Sequence, residues 1–349
     1  MAVASQSAWC AAGATAPILK RLLRKVSIDM EASPSPPSRR LIDDCTLQAP
    51  VEKVTGRTSR QLLDSLAIEE PLEIQLNFGP AHSRQTRSIS VTMRTPGNDL
   101  DLAAGFLMTE GVIRDANDIE QITHAGDSFI EGEQLPRAAD ALAVDSLKPG
   151  NRENIVRVDL APNVTVSLGT LQRNFYTTSS CGICGKASLL ALRTVCPPRA
   201  TNTFRVNAEI LYALPARLRA LQGVFDRTGG LHGAGLFDTA GNLLALREDV
   251  GRHNAVDKLI GAEFLADRTP LRDRLLLLSG RASFELLQKA LMGGISMVAA
   301  VGAPSSLAVQ VAKDFDITLI GFLREEQFNI YHGGERIDGL TAAAAGAEK

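Results

Sequence analysis

No stretch of this chain approaches the roughly 20 consecutive apolar residues that a membrane-spanning helix needs, so no membrane partner is expected. A basic excess is also missing. Lys and Arg number 37 against 39 Asp and Glu, a formal net charge of −2. That balance supplies no field for nucleic acid or an anionic surface. Cysteines are few, five in 349 residues. They are too sparse for a disulfide framework and point to a reducing compartment, hence a cytoplasmic protein. Only one Cys-x-x-Cys is present and no His-x-Glu stands anywhere. That shortage argues against a four-cysteine zinc site and against the zinc-deaminase signature, and no metal is expected. No repeat of fixed period runs through the chain.

What is present reads as a globular protein. Hydrophobic residues make up 45% and charged residues 22%, ordinary proportions for such a chain, and the length suits one large domain or two smaller ones. Residues 1–28 carry no Asp or Glu, are rich in Ala and Ser, and end with Lys20, Arg21, Arg24 and Lys25. A secretory signal would place its positive charges before the apolar stretch, and here they follow it. Residues 1–45 are expected to form a disordered extension, with an organellar targeting segment as the alternative. Within them Ser33 to Ser38 reads as a linker and Met30 as a second possible start.

Alternating apolar and polar residues predict strands over Pro71 to Phe78 and Arg87 to Arg94. A turn at Pro96 to Asp99 leads into a short helix over Leu102 to Leu107, ended by Gly111. Residues 124–153 are acidic and irregular, a surface loop, and strands follow from Val156 to Leu168. Helices are expected over Lys186 to Val195 and Leu211 to Leu221. A hairpin is expected from Gly233 to Glu248, then a helix from His253 to Phe264 with Val256, Leu259 and Ile260 on one face. Leu275 to Leu278, Met297 to Val301 and Ile317 to Phe322 read as buried strands. The helices Phe284 to Leu291 and Leu307 to Phe315 separate them, the second capped by Ser305 or Ser306. That order predicts a parallel sheet with right-handed crossovers. The expected division is a β-rich subdomain over 46–180, an α/β domain over 181–340, and a loose tail over 341–349.

Cys181 and Cys184 lie in Thr177-Thr178-Ser179-Ser180-Cys181-Gly182-Ile183-Cys184-Gly185-Lys186, directly before the expected helix. A thiol at a helix N-terminus ionises more easily, because unpaired N–H groups and the dipole favour the thiolate, which is the nucleophile. The flanking glycines open a path for close approach. The pair reads as a sulfur-carrying nucleophile with a helper, as a dithiol redox centre, as half a zinc site, or as two small core residues. The redox reading suffers from position. A thioredoxin motif follows an early strand of a compact domain, and this pair sits mid-chain.

Three further segments carry polar chemistry. Thr228 to Gly235 holds four glycines around His232, either a ligand-facing histidine or one satisfied in a turn. It is not the G-x-G-x-x-G of a dinucleotide fold. Glu248 to Lys258 crowds charge into a helix start, where Arg252 and His253 would suit a phosphate, with a solvated face as the alternative. The expected sheet ends its strands in Ser279-Gly280-Arg281, in Gly302 to Ser306 and in Gly321-Phe322-Leu323-Arg324. Ligands of open α/β sheets bind at such carboxyl ends, so these loops are a candidate phosphate cradle, or ordinary loop chemistry.

Taken together in this order, these segments resemble the formate dehydrogenase accessory sulfurtransferases, the FdhD proteins. The match runs from about Leu72 to Ile337. It rests on Thr178 to Gly185, Gly230-Leu231-His232-Gly233-Ala234, Glu248 to Lys258, Ser279-Gly280-Arg281 with Ser283, and Gly321-Phe322 with Arg324. The resemblance implies a cytidine-deaminase-like mixed sheet flanked by helices and a homodimer. It implies sulfur accepted from a cysteine desulfurase as a persulfide on Cys181, assisted by Cys184. That sulfur would be passed to the molybdenum cofactor, in its bis-molybdopterin guanine dinucleotide form, on its way to formate dehydrogenase. The cofactor would be a transient substrate. The resemblance further implies that Phe322, Leu323, Arg324, Glu325, Glu326 and Gln327 bind it. Ser279, Gly280, Arg281, His232, Arg252 and His253 are candidates for holding its anionic groups. A thioredoxin-like oxidoreductase and a cofactor-binding chaperone are the competing functions.

Overall fold

The computed structural model describes residues 44–125, 154–166 and 204–341. The expected helix over 186–195, most of the loop over 124–153 and both Cys181 and Cys184 lie outside them. Among the described residues no helix is long and apolar enough to cross a membrane.

The described residues begin with a hairpin that the sequence reading missed. Strands β1 (Thr46–Thr55) and β2 (Thr58–Ala67) pair antiparallel as their own two-stranded sheet. The turn needs a residue at positive φ, and Gly56 supplies it at +62°. Cys45, expected in a flexible extension, is instead buried at 4% exposure. Its Sγ donates to the Pro96 carbonyl at 3.0 Å, and it packs with Val224 and Leu231. Burial pushes this thiol up to about 11, the reverse of a reactive cysteine.

The two alternating segments form β3 (Glu70–Phe78) and β4 (Gln85–Arg94). With β5 (Ile119–His124) and β6 (Ile155–Leu160) they make a four-stranded sheet in the order β4-β3-β6-β5, β3 and β6 running parallel. The predicted short helix is α1 (Asp99–Thr109). Asn98 precedes it with φ +56° but makes no side-chain cap. Asp99 anchors the first turn instead. Its carboxylate accepts two hydrogen bonds from the Arg94 guanidinium, at 3.0 and 2.9 Å.

From Ala208 to Gly321 the C-terminal part follows the predicted order, with the strands Val206–Asn207, Asn329–His332 and Ile337–Asp338 unanticipated beyond it. After β7 (Val206–Asn207) come α2 (Ala208–Arg219) and a one-and-a-half-turn helix, α3 (Gly223–Thr228), that was not anticipated. The predicted hairpin is β8 (His232–Phe237) with β9 (Leu243–Asp249). Next are α4 (Arg252–Leu265), β10 (Leu275–Leu278), α5 (Phe284–Met292), β11 (Met297–Ala300), α6 (Ser306–Asp314) and β12 (Thr318–Gly321). Ser305 caps α6, its hydroxyl accepting from the Ala308 N–H at 3.2 Å. Last are β13 (Asn329–His332) and β14 (Ile337–Asp338), the latter parallel to β7.

The six-stranded sheet has the order β13-β12-β11-β10-β8-β9, with β10, β11 and β12 parallel as expected and antiparallel strands at both flanks. Its strand centres are apolar on both faces because both are covered. Leu276, Leu278, Val298 and Leu319 face α4, α5 and α6, while Leu275, Leu277, Met297 and Ile320 face α2. The larger core continues into the four-stranded sheet through Leu72, Ile74 and Val158. Helices α1 and α4 make this continuity possible. A Cβ on Gly105 would fall 1.9 Å from the Asp257 carbonyl oxygen, and one on Gly261 would fall 1.9 Å from that of Asp101. The two backbones therefore touch, which only glycine permits at these two crossing points.

Candidate functional site

The carboxyl ends of β10, β11 and β12 open into one groove of about 990 Å³. Ser279 and Val301 form its floor, and His232 enters from the first position of β8. Leu323, Arg324, Glu325, Glu326 and Gln327 form one rim. Pro215, Arg219 and Gln222 of the α2–α3 corner, with Phe225 and Gly229 to Leu231, form the opposite wall. The size suits a ligand as large as a nucleotide.

Backbone hydrogen bonds hold the rim. Leu323 donates to the Ala300 carbonyl at 3.0 Å, Phe322 to that of Gly302 at 3.1 Å, and Arg324 to that of Gln327 at 2.9 Å. Ser279 is fastened to β8. Its N–H donates to the Gly233 carbonyl at 3.0 Å and its hydroxyl accepts from the Gly233 N–H at 2.8 Å. Gly280 lies beneath the His232 ring, where a Cβ would come within 3.3 Å of Nδ1. The His232 imidazole is held below its ordinary range, by partial burial first and by the Arg252 charge second. It is therefore a neutral donor and acceptor near pH 7 rather than a fixed cation. Charge at the groove comes from Arg324, and from Arg219, whose guanidinium lies 4.5 Å over the Phe225 ring. Glu325 and Glu326 offset it on the same rim.

Seven of the residues singled out in the sequence thus share one groove: His232, Ser279 and Leu323 to Gln327. Five do not line it, Gly280 beneath the His232 ring among them. Phe322, at φ +54°, is 39% exposed and is not part of the lining. Arg281 is exposed. Arg252 and His253 sit at the first turn of α4, where Arg252 lowers the titration of both histidines and so lies near each. His253 stands 3.4 Å from the Ser283 hydroxyl and 3.9 Å from Glu285. Burial, then Arg252 and Lys289, bring its imidazole down to about 4. The wall formed by Arg219, Gln222 and Phe225 was missed. Its one sequence signal was the Gly229-Gly230 stop behind Phe225 and Thr228.

The run Glu248 to Lys258 corrects both readings offered for it. Most of it is neither a ligand site nor a solvated face but buried scaffolding. Asp249 and Lys258 pair at 2.7 Å with 0% and 1% of their side chains exposed. Asp249 also accepts from the Gly251 N–H at 2.8 Å, the Asn254 amide at 3.0 Å and the Thr95 N–H at 3.2 Å, while Lys258 donates to the Thr95 carbonyl at 2.7 Å. Asp257 accepts from Thr109 at 2.8 Å and pairs with Lys289 at 2.9 Å, and Lys289 reaches Glu110 at 3.1 Å. Glu248 caps α3, accepting from the Phe225 and Val224 N–H groups at 3.0 and 3.2 Å. Charges this deep are tolerated because each is paired and hydrogen-bonded. Among the described residues no group of three or more His, Cys, Asp or Glu could hold a metal ion.

Comparison with known proteins agrees with this arrangement. The model of the FdhD/NarQ family matches residues 67–338. A sulfur carrier protein FdhD of Streptomyces avermitilis is 49% identical over 285 residues, covering 81% of this chain and 92% of that one. The protein of the same name in Mycobacterium tuberculosis is 47% identical over 275 residues, covering 78% and 92%. A crystal structure assigned as a formate dehydrogenase accessory protein of Desulfotalea psychrophila superposes with a TM-score of 0.60 at 22% identity, covering 84% of this chain and 99% of that one. The shared fold is the mixed α/β architecture described above.

Proposed function

The chain belongs to the FdhD/NarQ family, and from that premise we propose that it is a sulfurtransferase serving formate dehydrogenase maturation. In this reading the Cys181 thiolate attacks the outer sulfur of a cysteine desulfurase persulfide. The donor's S–S bond breaks, the donor leaves as a thiolate, and a new S–S bond forms on Cys181. Delivery breaks that bond in turn. The electron pair returns to Cys181 and a neutral sulfur atom passes to the molybdenum cofactor, bound as bis-molybdopterin guanine dinucleotide. Cys184 assists as a second thiol, and the work takes place in the cytoplasm.

The observation that carries the reading is the Thr178 to Gly185 motif, which lies inside the family match and is the one segment supplying a paired, glycine-flanked thiol. The groove supports it from the other side. A guanine dinucleotide needs room and hydrogen-bonding groups, and His232, Ser279, Arg324 and Gln327 offer both. The apolar faces of Phe225 and Pro215 suit a planar base.

The test is direct. The protein is incubated with a cysteine desulfurase and cysteine, and the tryptic peptide holding Cys181 is weighed. A peptide heavier by one sulfur, restored by reductant, is expected. Cys181→Ala should abolish sulfur delivery while Cys184→Ala leaves part of it. Equal loss in both variants with a reversible internal disulfide would favour a dithiol oxidoreductase. Full activation of formate dehydrogenase by Cys181→Ala would favour a chaperone.

A further inference from the structure

One polar group in the groove wall has no use in the fold. Gln222, at the corner between α2 and α3, is 3% exposed and lines the groove. Its backbone is employed. The N–H donates to the Arg219 carbonyl at 3.3 Å, and the carbonyl accepts from the Asp226 N–H at 3.0 Å. Its side-chain nitrogen, Nε2, is shut off from water and has no hydrogen-bond partner among the described residues. Four buried side-chain atoms share that condition there, and only this one belongs to a residue lining the groove. A buried donor without an acceptor is destabilising, so a fold that keeps one needs a reason.

The chain makes room for this amide. Gly233, the second residue of β8, lies against it, and a Cβ there would fall 2.6 Å from Nε2 and 2.9 Å from Cδ. Gly233 is not at a positive φ, so the space is what glycine supplies. Glu248 fixes which way the amide faces. Gln222 favours the charge of that carboxylate, whose oxygens are already taken by the Val224 and Phe225 N–H groups. A carboxylate only accepts, so it draws the nitrogen rather than the oxygen to its side.

From this geometry we infer that Gln222 is the residue by which the groove tells purine bases apart, its Nε2 donating to the 6-oxo oxygen of guanine. The inference rests on the guanine dinucleotide reading above and deepens it. Phe225 and Pro215 put apolar faces beside Gln222, which suits a base at this wall, while Arg324 on the other rim suits phosphate. A 6-oxopurine brings an acceptor to the orphan donor. Adenine brings a 6-amino group, and two donors then face each other unmatched. The apolar faces cannot draw this distinction, because both bases present the same planar surface.

Isothermal titration of the full chain with GDP, IDP and ADP is the test. IDP keeps the 6-oxo group of GDP and lacks its 2-amino group. GDP and IDP should bind within about threefold of each other, and ADP about tenfold or more weakly. In Gln222→Met, which keeps the length and removes the amide, all three should fall within about threefold. Gly233→Ala, whose methyl displaces the amide, should narrow the gap in the same way. Circular dichroism checks that each variant is folded. A parent chain that binds the three alike overturns the inference. So does IDP binding as weakly as ADP, or a preference that survives in Gln222→Met. A chain that binds none of them overturns the groove's part in the sulfur-transfer reading as well, and the weighed Cys181 peptide tests the sulfur step apart from both.

Discussion

The start of α4 and the groove at the ends of β10 to β12 both gather polar side chains, yet they use them in opposite ways. At α4 the carboxylates, amide and ammonium of Asp249, Asn254, Asp257 and Lys258 are turned inward: Asp249 and Lys258 answer each other and the Thr95 backbone, Asn254 reaches the Met93 carbonyl of β4, and Asp257 meets Thr109 of α1 and Lys289 of α5. Around the groove, Arg324, Glu325, Glu326 and Gln327 are all exposed and face a cavity. The lesson concerns charge runs in general. A dense run marks either a ligand surface or a joint between layers, and only burial separates the two. Here the joint is what keeps α4 fixed under β8, and β8 in turn sets His232 and Gly233 at the groove.

The comparison can be broken most sharply at the joint. Asp249→Ala leaves the Lys258 ammonium buried without its carboxylate and should cost about 3–5 kcal/mol in urea unfolding. A loss below about 1 kcal/mol would remove the joint from the account, since exposed pairs behave that way. Gly261→Ala should follow, at about 1–3 kcal/mol or more, because the added methyl meets the Asp101 carbonyl, a backbone atom that cannot rotate aside. At the groove the stability effect should nearly vanish. Arg324→Ala should unfold within about 0.5 kcal/mol of the parent. Titration with GDP should nevertheless find it bound about tenfold more weakly, as loss of a charged hydrogen bond to phosphate predicts. Binding left unchanged would take Arg324 out of the cradle.

The smallest expected effect is on pH. His232 and His253 both titrate below the ordinary imidazole range when folded. The unfolded chain then binds more protons, so stability is full above about 6.5 and declines as the pH falls toward the folded value, about 4 for His253. Glu248, raised by burial, works in the opposite sense, losing its contribution as the pH rises through its folded value. His253→Gln should flatten the acid side of a melting profile between those limits. An unaltered profile would mean that its burial carries no cost.

Much of the scaffold was readable in advance because it follows from local pattern. Leu275 to Leu278 and Met297 to Ala300 are unbroken apolar runs bounded by glycine or polar residues, which is how a strand covered on both faces must look. The β1–β2 ribbon escaped because its apolar residues fall on both faces and Pro50 interrupts them. Helix α3 escaped because it is too short to show a period, and Glu248, which caps its N-terminus, lies 23 residues from Phe225 in sequence.

By itself the sequence determined the order of elements from β8 to β12, the parallel run of β10, β11 and β12, the loops that end it, and the presence of a single Cys-x-x-Cys. Those depend on neighbours in the chain, whose periodicity and turn residues act over a few positions. Only the tertiary structure decided that Lys258 and Asp249 are core while Arg324 is open, and that Arg219 and Phe225 face Ser279 across a groove. The physical reason is that desolvation and pairing depend on which distant segments close over a side chain, and residue identity carries no record of that.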